Sequence, residues 1–366
     1  MHRAQEDHRS SAFPALTRSI LSRLPRIVNQ TNGEAFVFPS SGSGMWEASL
    51  VNTLDPGARV LAVRFGQFSH LYIATARALG YSVDVIELPW GEAASPDEIE
   101  AALRADSNHE IQAVLVVHNE TATGVTSDIG AVRAAMDRAK HPAMLFVDGV
   151  SSIASLDFRF DEWGVDVAIT GSQKGFMLPP GLGILSVSEK ALARVADAKS
   201  PRAYFDLRPM REHNAKGYFP STPAQSLLFG LDEALTMLLE EGMPAVAARH
   251  KRLATGVRSA VAAWGLKECA MRPEIASNTL TAVVVPEGHD AARVIDIAFR
   301  RYDISLGAGL SQLAGKVFRI GHMGDTNSLT LAGALAGVEM ALADAGIPVT
   351  LGSGVGAALH HWRVPE

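Results

Sequence analysis

Three stretches of the chain carry residues suited to chemistry on a small anionic molecule. The first is Ser41-Gly42-Ser43-Gly44-Met45-Trp46-Glu47, which follows the apolar Phe36-Val37-Phe38 and opens an amphipathic helical pattern. Glycines let backbone N–H groups turn toward an anion, and a helix N-terminus adds a favourable dipole. A serine hydroxyl there can donate to a phosphate oxygen. Alone, the stretch is equally a flexible loop with a serine cap. It is not a nucleoside-triphosphate loop, because no Gly-Lys-Ser/Thr follows. The second stretch, Leu145-Phe146-Val147-Asp148-Gly149-Val150, ends an apolar run on an acidic residue. A buried aspartate needs a partner to stay ionised. A pyridinium nitrogen would serve; a Mg²⁺ ion or a plain strand cap are the other readings. The third is Ile169-Thr170-Gly171-Ser172-Gln173-Lys174, followed by Gly175 and then Pro179-Pro180-Gly181. A lysine among such small residues can lose its proton and form an imine. On an open loop it would be a solvated charge. Ser172 and Gln173 offer further hydrogen bonds to a phosphate or to the loop.

These residues need elements that bring them together. Apolar runs rich in β-branched residues fall at 60–64, 83–88, 113–118, 143–148, 165–170 and 183–187, and read as buried strands. Helical patterns at 69–79 and 127–140 lie between them. Strand, helix, strand at this spacing predicts βαβ units, an α/β fold and a mostly parallel sheet, with ligands at the carboxyl ends of the strands. The second half differs. Long amphipathic helices are expected at 225–241 and 244–264, with Gly242 as C-cap and Pro244 in the next first turn. Strands at 281–285 and 317–320 and helices at 291–301 and 329–345 then make a smaller α+β lobe. The boundary is placed near residue 240.

Composition narrows the class. The chain has 366 residues, 47% hydrophobic and 20% charged, which suits a folded protein with a large core. A net charge of −6 gives no reason to expect a nucleic-acid partner. The single cysteine, Cys269, excludes an intramolecular disulfide and a cysteine-based zinc site, and no metal is expected. No apolar run is long enough to span a bilayer. No signal core follows Met1, and residues 362–366 carry no targeting tripeptide, so a cytoplasmic protein is expected.

Phosphate loop, strand-end aspartate and lysine after the next strand occur here in that order. The stretches Val117-His118-Asn119-Glu120-Thr121-Ala122-Thr123-Gly124-Val125, Val147-Asp148-Gly149-Val150-Ser151-Ser152 and Thr170-Gly171-Ser172-Gln173-Lys174 closely resemble the class V aminotransferases, pyridoxal-phosphate enzymes of fold type I. The likeness is greatest to their serine–glyoxylate and alanine–glyoxylate branch. It also takes in Asp161-Glu162-Trp163-Gly164-Val165-Asp166-Val167 and Gly315-Lys316-Val317-Phe318-Arg319-Ile320-Gly321-His322, and runs from about Asp7 to near Gly354.

The resemblance implies a mostly parallel seven-stranded-type sheet with helices on both faces and a smaller C-terminal α+β domain. The segments would be an N-terminal arm or helix (1–30), a large cofactor-binding domain (31–240) and a small domain (241–366). Lys174 would carry pyridoxal phosphate as an imine and shuttle the substrate proton. Asp148 would pair with the ring nitrogen. Ser43, Gly44 and the Met45 N–H would bind the phosphate, with Gln173 adding to it. Phe68 and Val150 would lie on the ring faces, and Thr121 would hydrogen-bond near the ring. Tyr218 and Thr222 would reach the phosphate of a neighbouring subunit, which implies a homodimer with shared active sites. If the match there slips by one residue, Ser221 is the donor. Arg319 would bind the carboxylate of the amino- or keto-acid substrate. His118 and His322 are read as structural.

The implied reaction passes the amino group of L-serine to glyoxylate, giving hydroxypyruvate and glycine. Alanine, aspartate or pyridoxamine are alternative donors. A lyase or desulfurase is a further alternative, although Cys269 lies in no active-site motif. So is a catalytically impaired binding protein. Family members usually carry a Pro-Gly-Pro-type segment before the equivalent of Asp7-His8-Arg9-Ser10. Only six residues precede Asp7 here, so either the recorded start is too late or the substrate entrance is built differently.

Overall fold

The computed structural model describes residues 6–363. The first residues of the expected N-terminal arm (1–5) and the last three of the chain (364–366) lie outside the described residues. So does the question of what precedes Asp7.

Seven strands form one sheet in the order Glu34–Pro39, Leu182–Val187, Val167–Gly171, Met144–Asp148, Ile111–Val117, Arg59–Arg64, Ser82–Glu87. The last five are mutually parallel. Leu182–Val187 is antiparallel to both of its neighbours, so it alone runs against the other six. The carboxyl ends of those six strands share one edge of the sheet. The expected mixed but mostly parallel α/β sheet is therefore present.

Side-chain alternation sends successive residues of each strand to opposite faces. Leu61, Val63, Val114, Val116, Leu145 and Val147 pack on one face, against helices Phe13–Ile27, Pro96–Ala105, Ile129–Ala139 and Gln225–Glu241. Val60, Ala62, Ala113, Leu115, Met144 and Phe146 pack on the other, against Gly42–Thr53, Gln67–Ala78, Glu189–Asp197 and Leu207–Lys216. With both faces covered, central strands such as Met144–Asp148 are buried throughout and read as continuous apolar runs. Local signals place the helix starts. Ser95 accepts from Glu98 N ahead of Pro96, and Asp128 accepts from Ala131 N at 2.8 Å. Helix Gly42–Thr53, expected to be amphipathic, is buried on nearly every side.

Helix Gln225–Glu241 has the expected bounds, and Gly242 ends it at φ +84°. Helix Met243–Ala263 follows, with Pro244 in its first turn. It bridges two cores. Val246 belongs to the large-sheet core, whereas Leu253, Val257 and Ala260 join Trp264, Val283, Phe318, Leu335 and Trp362 in a separate one. That second core lies on a four-stranded antiparallel sheet, Lys267–Glu268, Leu280–Val284, Val317–Gly321 and Gly307–Ala308 in spatial order. The two outer strands were not expected, since two residues carry no periodic signal. Among the described residues no helix is long and apolar enough to cross a membrane.

Candidate active site

A cavity of about 200 Å³ opens at the shared carboxyl edge. It is lined by Ser41, Gly42, Ser43, Trp46, Phe68, Asn119, Thr121, Asp148, Val150, Ser151, Gln173 and Lys174. Each expected residue on its wall comes from a strand end, the turn after one or the first turn of the helix that follows, so the sheet itself assembles the site.

Asp148 closes its strand, 3% exposed. Its Oδ2 accepts from the indole Nε1 of Trp46 at 2.9 Å and its Oδ1 from the Val150 N–H at 2.8 Å. Burial pushes its carboxyl up to about 6, and those two donors hold it from rising further. Lys174 sits in the turn between strands Val167–Gly171 and Leu182–Val187. Burial lowers its pKa and the Arg319 guanidinium lowers it further, while Asp148 pulls the other way. The site thus favours a neutral amine more than water does, as imine formation requires.

The phosphate end shows one fit and one correction. A Cβ on Gly171 would stand 3.0 Å from Gln173 Oε1 and 3.3 Å from Gly42 N, so a small cradle exists where glycine leaves space. Gln173 Oε1 is buried there without a hydrogen-bond partner, and only the Nε2 of that side chain can donate to a phosphate. The first amides of helix Gly42–Thr53 have no acceptor within their own helix, which suits them to an anion. Ser43 lines this end. The Met45 N–H, however, donates to Ser41 O at 3.3 Å, and the Met45 side chain is fully buried close to Gly183. The Gly44 N–H is one of those first amides, and its α-carbon is closely packed. A Cβ there would run into Ser40 Oγ and stand 3.1 Å from Phe205 Cζ, so packing demands that glycine. Ser172 serves its own loop, donating to Pro179 O and accepting from Leu182 N.

Phe68 opens helix Gln67–Ala78 and is half-buried on the cavity wall, with Val150 also lining it. The Thr121 hydroxyl donates to Ser151 Oγ at 2.8 Å, and Ser151 Oγ donates to Asn119 O. Arg319, on the small sheet, donates through Nη1 to Thr121 O at 3.0 Å and through Nε to Ala308 O at 3.1 Å. Those bonds fix the guanidinium against Thr121, a residue of the cavity wall.

Tyr218 and Thr222 are not part of this cavity. Tyr218 packs against the large-domain core, with its hydroxyl 3.4 Å from Ser10 O, and Thr222 is exposed, as is Ser221. His118 is structural: its Nδ1 lies 2.8 Å from Ser152 Oγ, its ring meets Phe158 and Trp163 edge-on, and burial pushes its pKa down to about 4. His322 is likewise buried, against Thr281, with its pKa near 3. The Cys269 thiol is raised to about 11 by burial and does not line the cavity, which leaves it poorly suited to a desulfurase role. Trp46, Asn119, Glu120 and Ser151 belong to the site, yet the motifs gave them no role.

The aminotransferase class-V family model matches residues 1–321. A serine–glyoxylate aminotransferase of Methylorubrum extorquens is 58% identical, over 98% of this chain and 90% of its own length. An L-aspartate–glyoxylate aminotransferase of Paracoccus denitrificans is 53% identical over the same shares. Among solved structures, pyridoxamine–pyruvate aminotransferase from Mesorhizobium loti superposes with a TM-score of 0.91 at 30% identity, covering 98% of this chain and 91% of that one. The chain belongs to the class-V aminotransferase family. It is an aminotransferase whose cofactor is pyridoxal phosphate, and the cradle at Gly42 and Gly171, the buried Asp148 and the amine of Lys174 fit that molecule at its phosphate, ring nitrogen and aldehyde.

Proposed function

We propose that this protein transfers the amino group of L-serine to glyoxylate, forming hydroxypyruvate and glycine. The observation that carries the reading is Lys174 and Asp148 on one cavity wall, with Arg319 bonded to the wall residue Thr121 and acting on Lys174 by its charge, in a chain 58% identical to a serine–glyoxylate aminotransferase. When bound, pyridoxal phosphate supplies a carbonyl that takes up amino groups and a ring that withdraws electrons from the carbon bearing them. Ser43, the first amides of helix Gly42–Thr53 and Gln173 hold the phosphate. Asp148, fixed by Trp46 and Val150, keeps the ring nitrogen protonated. Phe68 and Val150 cover the ring faces and exclude water. Arg319 takes the substrate carboxylate, which points the Cα–H at Lys174. Lys174 Nζ would take up that proton as base and then give it up as acid. In the second half the same groups act in reverse on glyoxylate.

We also propose a homodimer, in which Tyr218 and Thr222 complete the neighbouring subunit's phosphate site. Their positions away from the chain's own cavity support this, and sedimentation of the holoenzyme tests it. A reducing, cytoplasmic setting suits a chain with one cysteine. The function is tested by a half-reaction screen. Purified holoenzyme is mixed with serine, alanine, aspartate or pyridoxamine, and conversion of the cofactor to its amine form is followed by absorbance. Serine should convert it fastest. Conversion by aspartate with serine inert would replace the assigned donor by that of the Paracoccus relative.

A further inference from the structure

Glu120 is completely buried, directly behind the wall that Phe68 and Thr121 present to the cavity. Its Oε1 accepts from Ala122 N at 3.0 Å and Phe68 N at 3.2 Å. Its Oε2 accepts from Ser69 N at 3.0 Å, Phe68 N at 3.1 Å and Ser69 Oγ at 3.2 Å. Backbone amides point at both oxygens. Those donors favour the carboxylate, against the burial that raises the Glu120 pKa. The backbone of Gly66 presses on the Glu120 side chain so closely that any Cβ there would collide with it. The main chain is committed too: Glu120 O accepts from Gly124 N at 2.9 Å and Thr123 N at 3.3 Å.

This one residue touches three parts of the site. Through its carboxylate it holds the first turn of helix Gln67–Ala78, which carries Phe68. Through the next peptide it holds Arg319, because Thr121 O receives Nη1. Its charge acts on both Arg319 and Asp148. We propose that Glu120 is a positioning residue, setting Phe68 over the cofactor ring and Arg319 at the substrate carboxylate from a single buried carboxylate. The inference rests on the roles given above to Phe68 and Arg319.

A matched control exists elsewhere in the fold. Glu339 is also buried, and its carboxylate accepts from Trp264 Nε1, Gly352 N, Gly354 N and Val355 N at the start of the C-terminal helix, far from the cavity. Glu120→Gln and Glu339→Gln each turn an acceptor into a donor facing donors, so both should lower Tm. Only Glu120→Gln should loosen the cofactor, raising the pyridoxal-phosphate Kd about tenfold by fluorescence titration and weakening the dichroism of the bound cofactor. It should also raise KM for glyoxylate by a larger factor than it lowers kcat. If Glu120→Gln leaves Kd, dichroism and KM within about twofold of the parent, or Glu339→Gln moves them equally, the proposal fails. Should Glu120→Gln not fold, Ser69→Ala removes one of the five bonds and is read the same way, with a smaller shift supporting the proposal and none overturning it. The proposed donor can fail separately: a parent inert toward serine, with Kd still raised in Glu120→Gln, overturns the donor and leaves the positioning role standing.

Discussion

The indole N–H of Trp46 donates to Asp148 Oδ2 at 2.9 Å, 102 positions away in sequence, and stacks on Tyr72 with centroids 5.3 Å apart. The carboxylate meant for the cofactor's ring nitrogen is therefore anchored from the same helix whose first amides face the phosphate end. Trp46→Phe keeps most of the stacking and removes the donor. A hydrogen bond to a charged group is worth about 2 kcal/mol. The Asp148 pKa should rise above its present value of about 6, leaving less carboxylate at neutral pH. Cofactor affinity should fall, and fall more steeply at pH 6 than at pH 8. Fluorescence titration at the two pH values measures this, and equal losses at both would contradict it.

Lys174→Ala removes the amine on the cavity wall. The visible absorption of lysine-linked cofactor should vanish, and turnover should drop at least about a thousandfold, the scale of a lost acid–base group. Turnover near the parent rate would remove Lys174 from the chemistry.

Arg319→Gln separates binding from proton affinity. The Arg319 charge lowers the Lys174 pKa, so its loss should raise it. The amine must be neutral to capture the aldehyde. The pH midpoint for capture by the apoenzyme should therefore move to higher pH. The KM for glyoxylate should rise roughly thirtyfold, the equivalent of a charge-assisted bond of about 2 kcal/mol. A midpoint that stays put or moves to lower pH would refute the electrostatic link.

Three buried histidines predict how stability depends on pH. Burial lowers His118 and His250 to about 4 and His322 to about 3. His250 needs its neutral form, since its Nδ1 lies 2.7 Å from Val246 O while Nε2 accepts from Gly324 N at 3.0 Å. Unfolded histidine takes up a proton near pH 6.5 and the folded one does not. Their stabilisation is thus complete above pH 6.5 and is lost as pH falls toward 4, at about 1.4 kcal/mol per pH unit for each. Asp148, raised to about 6, works in the opposite direction below that value in the apoenzyme. Urea midpoints of the apoenzyme should fall from pH 7 to pH 5, and His250→Gln should flatten the slope. An unchanged slope in that variant would argue against the assignment.

Legibility from sequence followed the range of the interactions. The central strands were readable because burial on both faces leaves uninterrupted apolar runs, as in Met144–Asp148. Asp148 and Lys174 were readable because they end such runs. Trp46 and Glu120 were not. Each looks locally like an ordinary helix aromatic or strand-end acid, and its role is set by partners far along the chain, such as Phe68 and Ser69 for Glu120. Met45 failed for the opposite reason. Its place in the motif suggested contact with an anion, whereas its amide is spent inside the helix.

The single reversed strand, Leu182–Val187, has a consequence for the lysine. Parallel strands need a long crossover, but here the chain turns straight back, with Gly171 opposite Gly183 and Ser172 N bonded to Leu182 O. Lys174 is mounted on a short hairpin anchored at both roots rather than at the head of a crossover helix. Leu178 N to Ser172 O and Met177 N to Lys174 O close the turn inside it. A residue inserted between 175 and 181 would displace the amine itself, so this turn should tolerate length changes far less than the exposed loops at the opposite edge of the sheet.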